Sequence, residues 1–141
     1  MAINDEGEIR ELLSQPRRIA VVGASPNPSR ASNEVLGFLV AQGHDVIAVN
    51  PGHAGGTIHD APVVATLANV EPPAEIVDIF RNSEDAGQAV DEAIVHGAKA
   101  VWMQLGVINE AAARRADAAG LTVVMDRCPA IEIPRLGLLR R

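Results

Sequence analysis

Five short runs of apolar residues recur along the chain, and none of them alternates with polar positions. Each run has the length of a short strand, and most are rich in β-branched residues. Continuous apolar runs of this kind are typical of strands that are buried on both faces of a parallel sheet. The predicted strands are Ile19–Val22, Val46–Val49, Ile76–Phe80, Ala100–Met103 and Thr122–Met125.

Helical patterns separate the predicted strands. Residues 5–14 predict a short helix before the first strand, with acidic residues in its first turn, where the helix dipole favours them. Three longer patterns each begin near a capping residue and end at a glycine. They are a helix capped by Ser32 and stopped by Gly43, Glu84–His96 with Ser83 as its cap and Gly97 as its stop, and Glu110–Ala119 with Asn109 as its cap and Gly120 as its stop. A weaker and shorter helix is predicted over Ala61–Leu67.

The alternation of strands and helices predicts the α/β class. We expect a Rossmann-like, doubly wound parallel sheet of about five strands, with right-handed crossovers and the strand order 3-2-1-4-5. A length of 141 residues suits one domain, so we assign residues 1–141 to a single domain with its core at about residues 15–133.

Composition narrows the classes of function. The formal net charge is −6, and such an acidic chain lacks the basic face of a nucleic-acid-binding protein. The single cysteine, Cys128, excludes an internal disulfide and favours a reducing, cytoplasmic location. No apolar run is long enough to span a membrane, and the acidic N-terminus differs from a signal peptide. We therefore expect a small-molecule ligand as the partner, while the sequence leaves open a homodimer or a protein partner.

The segments that follow the predicted strands carry the candidate chemistry. Doubly wound sheets bind ligands at the carboxyl ends of their strands, next to the point where the strand order reverses. For the predicted order, this point lies between the first and fourth strands. The segments are Gly23–Arg30, Asn50–Gly56, Arg81–Asn82, Gln104–Gly106 and Asp126–Cys128.

The first of these segments, GASPNPSR, has the features of a phosphate-binding loop. Gly23 permits a tight turn, and Ala24 and Ser25 offer backbone N–H groups and a hydroxyl. Arg30 adds a cation with a planar set of donors, and the helix that begins near Ser32 directs its free N–H groups to the same place. The segment therefore predicts a site for the phosphates of a nucleotide.

The segment after the second strand argues against a typical NAD site. NAD-binding folds carry an Asp or Glu there for the ribose hydroxyls, whereas this chain has Asn50, followed by a Pro-Gly turn and His53. Only the first glycine of the dinucleotide pattern G-x-G-x-x-G is present in the phosphate-binding loop. Val49 and Pro51 suit one wall of an adenine pocket, and His53 suits a phosphate contact. An NAD(P)-binding regulatory or oxidoreductase domain remains an alternative.

Four stretches of the sequence carry a resemblance to a known family. They are GASPNPSRAS, VIAVNPGHAGG, VDIFRNSEDAGQAVDEAIVHGAKAVWMQLGV and AGLTVVMDRCPAIE. In this order and spacing they resemble the CoA-binding domain family of small stand-alone bacterial proteins, over roughly residues 15 to 133. That family in turn resembles the N-terminal domain of the succinyl-CoA synthetase α subunit, in which a lysine stands where this chain has His53.

The resemblance implies that coenzyme A, or an acyl-CoA, binds at the carboxyl ends of the strands. The implied cofactor-binding residues are Gly23, Ala24, Ser25, Arg30 and Ser32 for the phosphates, Asn50, Pro51 and His53 for the adenine and ribose, and Phe80, Arg81, Gln104 and Gly106 for the pantetheine arm.

The sequence shows no complete catalytic machinery. It has no Walker lysine motif, no paired carboxylates at one strand end and no Cys/His cluster with metal-ligand spacing, so we predict neither catalytic nor metal-binding residues. This favours a non-catalytic carrier, sensor or regulatory protein. An acyl-CoA enzyme that uses Cys128, or a mixed disulfide between Cys128 and the thiol of CoA, is left open, although packing of a small buried side chain is the simpler account of this residue. Trp102 is expected in the core.

Overall fold

Seven strands form one mostly parallel sheet in the computed structural model, which describes residues 3–140. The strands are β1 (Arg18–Val22), β2 (Asp45–Val49), β3 (Thr57–Ile58), β4 (Ala61–Val64), β5 (Ile76–Ile79), β6 (Ala100–Met103) and β7 (Thr122–Met125). The helices are α1 (Glu6–Leu13), α2 (Ala31–Ala41), α3 (Ser83–His96), α4 (Glu110–Ala118) and α5 (Pro129–Arg135), with short 3₁₀ turns at Pro51–His53 and Leu67–Asn69. Across the sheet the order is β3-β4-β2-β1-β5-β6-β7. Within the described residues, none of the helices has the length and apolarity needed to cross a bilayer.

The predicted Rossmann-like α/β class is confirmed, and each predicted strand is present, as β1, β2, β5, β6 and β7. Their residues are almost entirely buried, as expected for strands with helices on both faces. The register aligns the carboxyl ends of the central strands, since Val22 pairs with Val49 of β2 and with Ile79 of β5. The loops that follow these strands therefore meet at one edge of the sheet.

The predicted helix over Ala61–Leu67 is wrong, and the predicted strand number and order are corrected with it. Its first four residues form β4, which runs parallel to β2 and antiparallel to the short edge strand β3. The β-branched residues Val63 and Val64 favour a strand, and Pro62 takes an exposed position near the sheet edge, where a missing N–H is tolerated. Because β4 takes the place beside β2, β5 lies on the other side of β1. The six parallel strands thus have the 3-2-1-4-5-6 order of Rossmann folds.

Two helices begin earlier than predicted, α2 by two residues and α3 by one. Arg30 is the residue before α2 and makes no side-chain capping bond, so the predicted cap Ser32 lies inside the first turn. Asn82 caps α3 by accepting a backbone N–H of the first turn at 2.8 Å, so Ser83 also lies inside its helix. The predicted cap of α4 and the glycine stop of α3 are confirmed. Helix α5, which begins just after Cys128, was not predicted.

The helices cover both faces of the sheet and so define where a ligand can enter. Helices α1, α2 and α5 pack on one face, and α3 and α4 pack on the other. The loop after β1 leads to α2 and the loop after β5 leads to α3, so the chain leaves these neighbouring strands toward opposite faces. The reversal point therefore lies between β1 and β5, rather than between the first and fourth of the predicted strands.

Candidate functional site

An open cleft of about 950 Å³ lies at the carboxyl end of the sheet, next to the reversal point between β1 and β5. Its walls come from the loop after β1, from α2, and from the ends of β2, β5, β6 and β7. All but two of the predicted binding residues line it: Gly23, Ala24, Ser25, Arg30, Ser32, Asn50, Pro51, Phe80, Arg81 and Gln104. The structure thus brings these residues to one cavity, and their contacts with a ligand remain predictions.

The two other predicted residues, His53 and Gly106, are not among the described residues that line the cleft. His53 ends the exposed 3₁₀ turn after β2. The N–H of Gly106 donates to Oδ1 of Asp126 at 2.7 Å, which ties the loop after β6 to the loop after β7. Both residues shape the loops at the edge of the site rather than the cleft wall.

Gly23 lets the loop after β1 cross closely over the end of β5. Its φ is +84°, a left-handed conformation that disfavours other residues, and its N–H donates to the carbonyl oxygen of Val49 at 3.3 Å. A Cβ at this position would overlap the backbone carbonyl oxygen of Phe80. The sequence therefore needs glycine here for two separate reasons, the backbone angle and the close approach.

The rest of this loop is organised by its own side chains. The Oγ atom of Ser25 accepts the N–H of Asn27 at 3.1 Å, and Oδ1 of Asn27 accepts the N–H and the hydroxyl of Ser29 at 3.0 and 2.8 Å. These short-range turns order an exposed, proline-rich segment. Because Ser25 acts only as an acceptor within the described residues, its hydroxyl proton can be donated to a ligand.

The first turn of α2 has the properties of an anion site. The helix begins without a side-chain cap, and Arg30, Ala31 and Ser32 all line the cleft. The N–H groups at the start of a helix have no intrahelical partners, and the helix dipole is positive there. The exposed guanidinium of Arg30 adds a full positive charge beside them. A phosphate is the ligand group that this arrangement suits best.

Two asparagine side chains fix the loop after β1 by donating hydrogen bonds to its backbone. Nδ2 of Asn33, which is buried, donates to the carbonyl oxygen of Ser25 at 3.0 Å, and its Oδ1 contacts Nε2 of His59 at 2.7 Å. Nδ2 of Asn50 donates to the carbonyl oxygen of Ala24 at 2.8 Å. The carbonyl oxygens of Ala24 and Ser25 thus accept hydrogen bonds from side chains of the protein. This arrangement favours an orientation in which the N–H groups of the loop face the cleft. Sequence reasoning missed Asn33 and His59 because one lies inside a helix and the other in an edge hairpin.

We expect Asn33→Ala to lower the free energy of unfolding by about 2 kcal/mol, because it deletes two hydrogen bonds and leaves the carbonyl of Ser25 without its donor. Urea unfolding measures this loss, and hydrogen exchange of the loop amides should speed up. Ser29→Ala is the control, since it removes only an exposed hydroxyl contact and is expected to change stability by less than about 0.5 kcal/mol. Equal losses in the two variants would contradict the bracing role of Asn33.

The opposite wall of the cleft is formed by the ends of β5, β6 and β7. Phe80 is half-buried, Gln104 is 5% exposed, and Cys128 is 8% exposed beside α5. Trp102 is buried in the core, as predicted, and its indole N–H donates to the carbonyl oxygen of Arg127 at 2.8 Å. Cys128 is packed as a small buried side chain while still reaching the cleft surface.

The cleft also has an apolar lining that sequence reasoning did not single out. These residues come from α2, from the loop after β6 and from α5: Val35, Phe38, Leu105, Val107 and Ala130. Phe38 is one of the few aromatic residues of the chain, which was a usable signal for an apolar contact. The lining gives the cleft a polar end at the loop after β1 and apolar walls beyond it.

One acidic side chain is buried within β5, the strand that ends at this site. Asp78 is 1% exposed in the middle of β5, and neither of its carboxyl oxygens has a hydrogen-bond partner within residues 3–140. Burial away from water raises the pKa of this carboxyl well above its ordinary value. The Oε1 atom of Gln104 is likewise buried without a donor. Sequence reasoning passed over Asp78 because it lies inside a run that was predicted as a buried apolar strand.

A smaller hollow of about 350 Å³ continues the site across the reversal point. It shares Val49, Pro51 and Arg81 with the main cleft and extends to Thr66 and to Asp85 of α3. An elongated ligand that follows the carboxyl edge of the sheet can therefore occupy both spaces.

This fold and its cleft define a Rossmann-like ligand-binding domain. The chain belongs to the CoA-binding domain family, because residues 17–134 match the family described as "CoA binding domain". This membership confirms the family resemblance seen in the sequence, and it supports coenzyme A binding in general.

Similar proteins cover most of the chain. The uncharacterized protein YneT of Bacillus subtilis (strain 168) is 36% identical over 126 residues, which are 87% of this chain and 90% of that protein. A hypothetical protein from Pyrococcus horikoshii OT3 has a solved structure with 36% identity and a TM-score of 0.87, covering 94% of this chain and 92% of that one. At the level of fold alone, 83% of the chain matches 27% of a dinucleotide-forming acetyl-coenzyme A synthetase from Ca. Korarchaeum cryptofilum, in complex with phosphate and ADP, with 22% identity and a TM-score of 0.68.

Proposed function

We propose that this protein binds coenzyme A or an acyl-CoA in the cleft between α2 and the ends of β5 and β6, as a carrier, sensor or regulatory protein without catalysis of its own. The observation that carries the proposal is the uncapped start of α2 beside Arg30, at the mouth of a cleft in a chain of the CoA-binding domain family. The donors there suit the phosphates of CoA.

The shape of the site suits the remaining parts of the cofactor. The smaller hollow beside Val49 and Pro51 provides apolar contacts for an adenine ring, close to the predicted phosphate site. The apolar walls of the main cleft suit the pantetheine arm, which is a long chain of methylene groups and amides. In this arrangement the arm runs past Phe80 and Gln104 toward Cys128.

The non-catalytic role is proposed from the residues at the cleft. Among the described residues that line it, Glu34 is the one carboxylate, and none is a histidine or lysine. Acyl transfer or hydrolysis needs a base near the nucleophile or the attacking water. The lining instead supplies cations, backbone N–H groups and apolar surface, which are the means of binding.

Calorimetric titration with CoA tests this proposal. We expect CoA to bind with a dissociation constant of roughly micromolar size and NAD to bind much more weakly. At a CoA concentration of about 100 times the dissociation constant, the stability gain should be about 2.7 kcal/mol, so a thermal shift is a rapid first measurement. The absence of both heat and stabilisation at millimolar CoA would overturn the proposed function.

Arg30→Ala should weaken CoA binding by about 10-fold or more, because hydrogen bonds to charged groups are stronger than neutral ones. The dependence of affinity on salt should also become shallower. Arg114→Ala is the matched control, since Arg114 is exposed on α4, which packs on the other face of the sheet. Unchanged affinity in Arg30→Ala, or equal losses in the two variants, would exclude a phosphate contact at Arg30.

A second candidate function is an acyl-CoA enzyme that uses Cys128. The observation that favours it is the position of Cys128 in the lining of the cleft, at the end where the proposed arm would place its sulfur. If this function holds, the protein consumes acyl-CoA thioesters and Cys128→Ser abolishes the turnover. Turnover that survives in Cys128→Ser, or none in the unaltered protein, rejects this candidate.

A further inference from the structure

Three side-chain oxygens beneath the cleft lack a hydrogen-bond donor within residues 3–140. They are Oδ1 and Oδ2 of Asp78 and Oε1 of Gln104. Buried polar atoms without partners are uncommon in native proteins, and each one carries a desolvation cost. When several occur side by side, the simplest resolution is that one of the groups is protonated and donates to another.

Asp78 and Gln104 lie close together on neighbouring strands. Asp78 pairs in register with Trp102, and Gln104 comes two residues after Trp102, just past the end of β6. The neighbours of Asp78 on β5, Val77 and Ile79, belong to the core on the opposite face, so Asp78 shares a face with Trp102 and Gln104. Strand spacing and rise place the two Cα atoms about 8 Å apart, which an aspartate and a glutamine side chain can bridge.

The carboxyl of Asp78 is positioned to be a donor rather than an acceptor. It is fully buried on a face whose core members are apolar, so its ionised form is strongly disfavoured. A neutral carboxylic acid has one O–H group, which can be donated to an acceptor such as Oε1 of Gln104. The amide Nε2 of Gln104 would then be left to face the cleft, which Gln104 lines.

We propose that Asp78 donates its O–H to Oε1 of Gln104 and thereby orients the carboxamide, so that Nε2 of Gln104 donates to an amide carbonyl oxygen of a bound pantetheine arm. Gln104 is then a residue that selects for the pantetheine arm, and Asp78 is a positioning residue. This inference rests on the proposed function, because it assumes that CoA occupies the cleft. It gives the buried acid a role in recognition that a purely apolar residue could not fill.

The test compares two ligands, CoA and adenosine 3′,5′-bisphosphate, which has the nucleotide part of CoA but no pantetheine arm. Gln104→Leu should weaken CoA binding by about 10-fold. It should change the dissociation constant of adenosine 3′,5′-bisphosphate by less than about twofold. Asp78→Leu should act in the same direction, because Gln104 loses its orienting donor. Asp78→Asn, unlike Asp78→Leu, should bind CoA about as tightly as the unaltered protein does, because the asparagine amide can donate to Oε1 of Gln104.

A double variant tests whether the two residues act together. If Asp78 acts only through Gln104, Asp78→Leu combined with Gln104→Leu should bind CoA no more weakly than Gln104→Leu alone. Asp78→Leu replaces a buried polar side chain on an apolar face with an apolar side chain of the same branched shape, so we expect the variants to fold. A difference infrared spectrum between the unaltered protein and Asp78→Asn at neutral pH should show the carbonyl stretch of a protonated carboxylic acid.

The outcomes separate this proposal from the proposed function. Failure of the unaltered protein to bind CoA overturns the proposed function. Normal CoA affinity in Gln104→Leu, or equal losses for the two ligands, overturns the role of Gln104 while CoA binding stands. Asp78→Asn binding CoA as weakly as Asp78→Leu, additive losses in the double variant, or an infrared signal of an ionised carboxylate would overturn the role of Asp78.

Discussion

Replacing Gly23 with alanine is expected to destabilise the fold by more than about 4 kcal/mol, an effect large enough to prevent folding at ordinary temperatures. Two costs combine at this position. The φ of +84° is unfavourable for any residue with a Cβ, and the added atom would overlap the carbonyl oxygen of Phe80. The obstacle is backbone at the end of β5, so no side-chain rotation can relieve it.

Gly43→Ala is the matched control for this substitution. Gly43 has nearly the same backbone angle, with φ of +88°, but its Cβ would meet no atom within 4 Å. Alanine there should cost only the conformational penalty, about 1–2 kcal/mol. Chemical denaturation of both variants isolates the steric part as the difference between them. Similar losses in the two variants would show that the close approach of the loop to β5 is absent.

Replacing Asp78 with asparagine is expected to remove a steep fall of stability with rising pH. Burial raises the pKa of Asp78 well above the ordinary value of about 3.8, so between these two values the folded state holds a proton that the unfolded state has released. Unfolding then releases a proton, and stability falls by about 1.4 kcal/mol for each pH unit. The contribution is complete below the ordinary pKa and is lost as pH rises toward the folded pKa.

Urea unfolding at several pH values between 5 and 8 measures this slope. The asparagine side chain cannot lose a proton in this range. The stability of the variant relative to that of the unaltered protein should therefore increase as pH rises. Asp60→Asn is the control, because it makes the same chemical change at an exposed residue in the turn between β3 and β4. Parallel profiles for Asp78→Asn and the unaltered protein would refute the proton held by Asp78.

Asp78 therefore lowers the stability of the fold while serving the proposed recognition of the pantetheine arm. An apolar residue at this position would remove an unsatisfied buried group and is compatible with the surrounding core. The chain instead keeps a group that weakens the fold as pH rises, in the strand that ends at the proposed binding cleft. Local features that oppose stability are typical of functional sites.

The candidate site was largely predictable from the sequence because parallel strands align their carboxyl ends. Residues placed directly after apolar runs, such as Ser25 and Gln104, had to meet at one edge of the sheet, and they do line one cleft. The residues that were missed lie within regular elements. Asn33 is inside α2 and Asp78 is inside β5, and the pattern that identified those elements gave no sign of what the two side chains contact.

The strand order could not be derived from the same pattern. β4 is short, lies near the edge of the sheet and contains a proline, so its local sequence is compatible with the start of a helix as well as with a strand. Its pairing with β2 is a contact between distant parts of the chain, and that pairing moves β5 to the other side of β1. The position of the reversal point followed from this one pairing.

The sequence by itself determined the α/β class, the five buried strands and the segments that follow them at the carboxyl end of the sheet. These features follow from local hydrophobic patterns and turn-forming residues. The tertiary structure alone decided the strand order, the contacts of Asn33 with the loop after β1 and with His59, and the burial of Asp78 without a hydrogen-bond partner within residues 3–140. Each of these depends on contacts between residues far apart in the chain, and such contacts are set by packing of the whole domain rather than by any local preference.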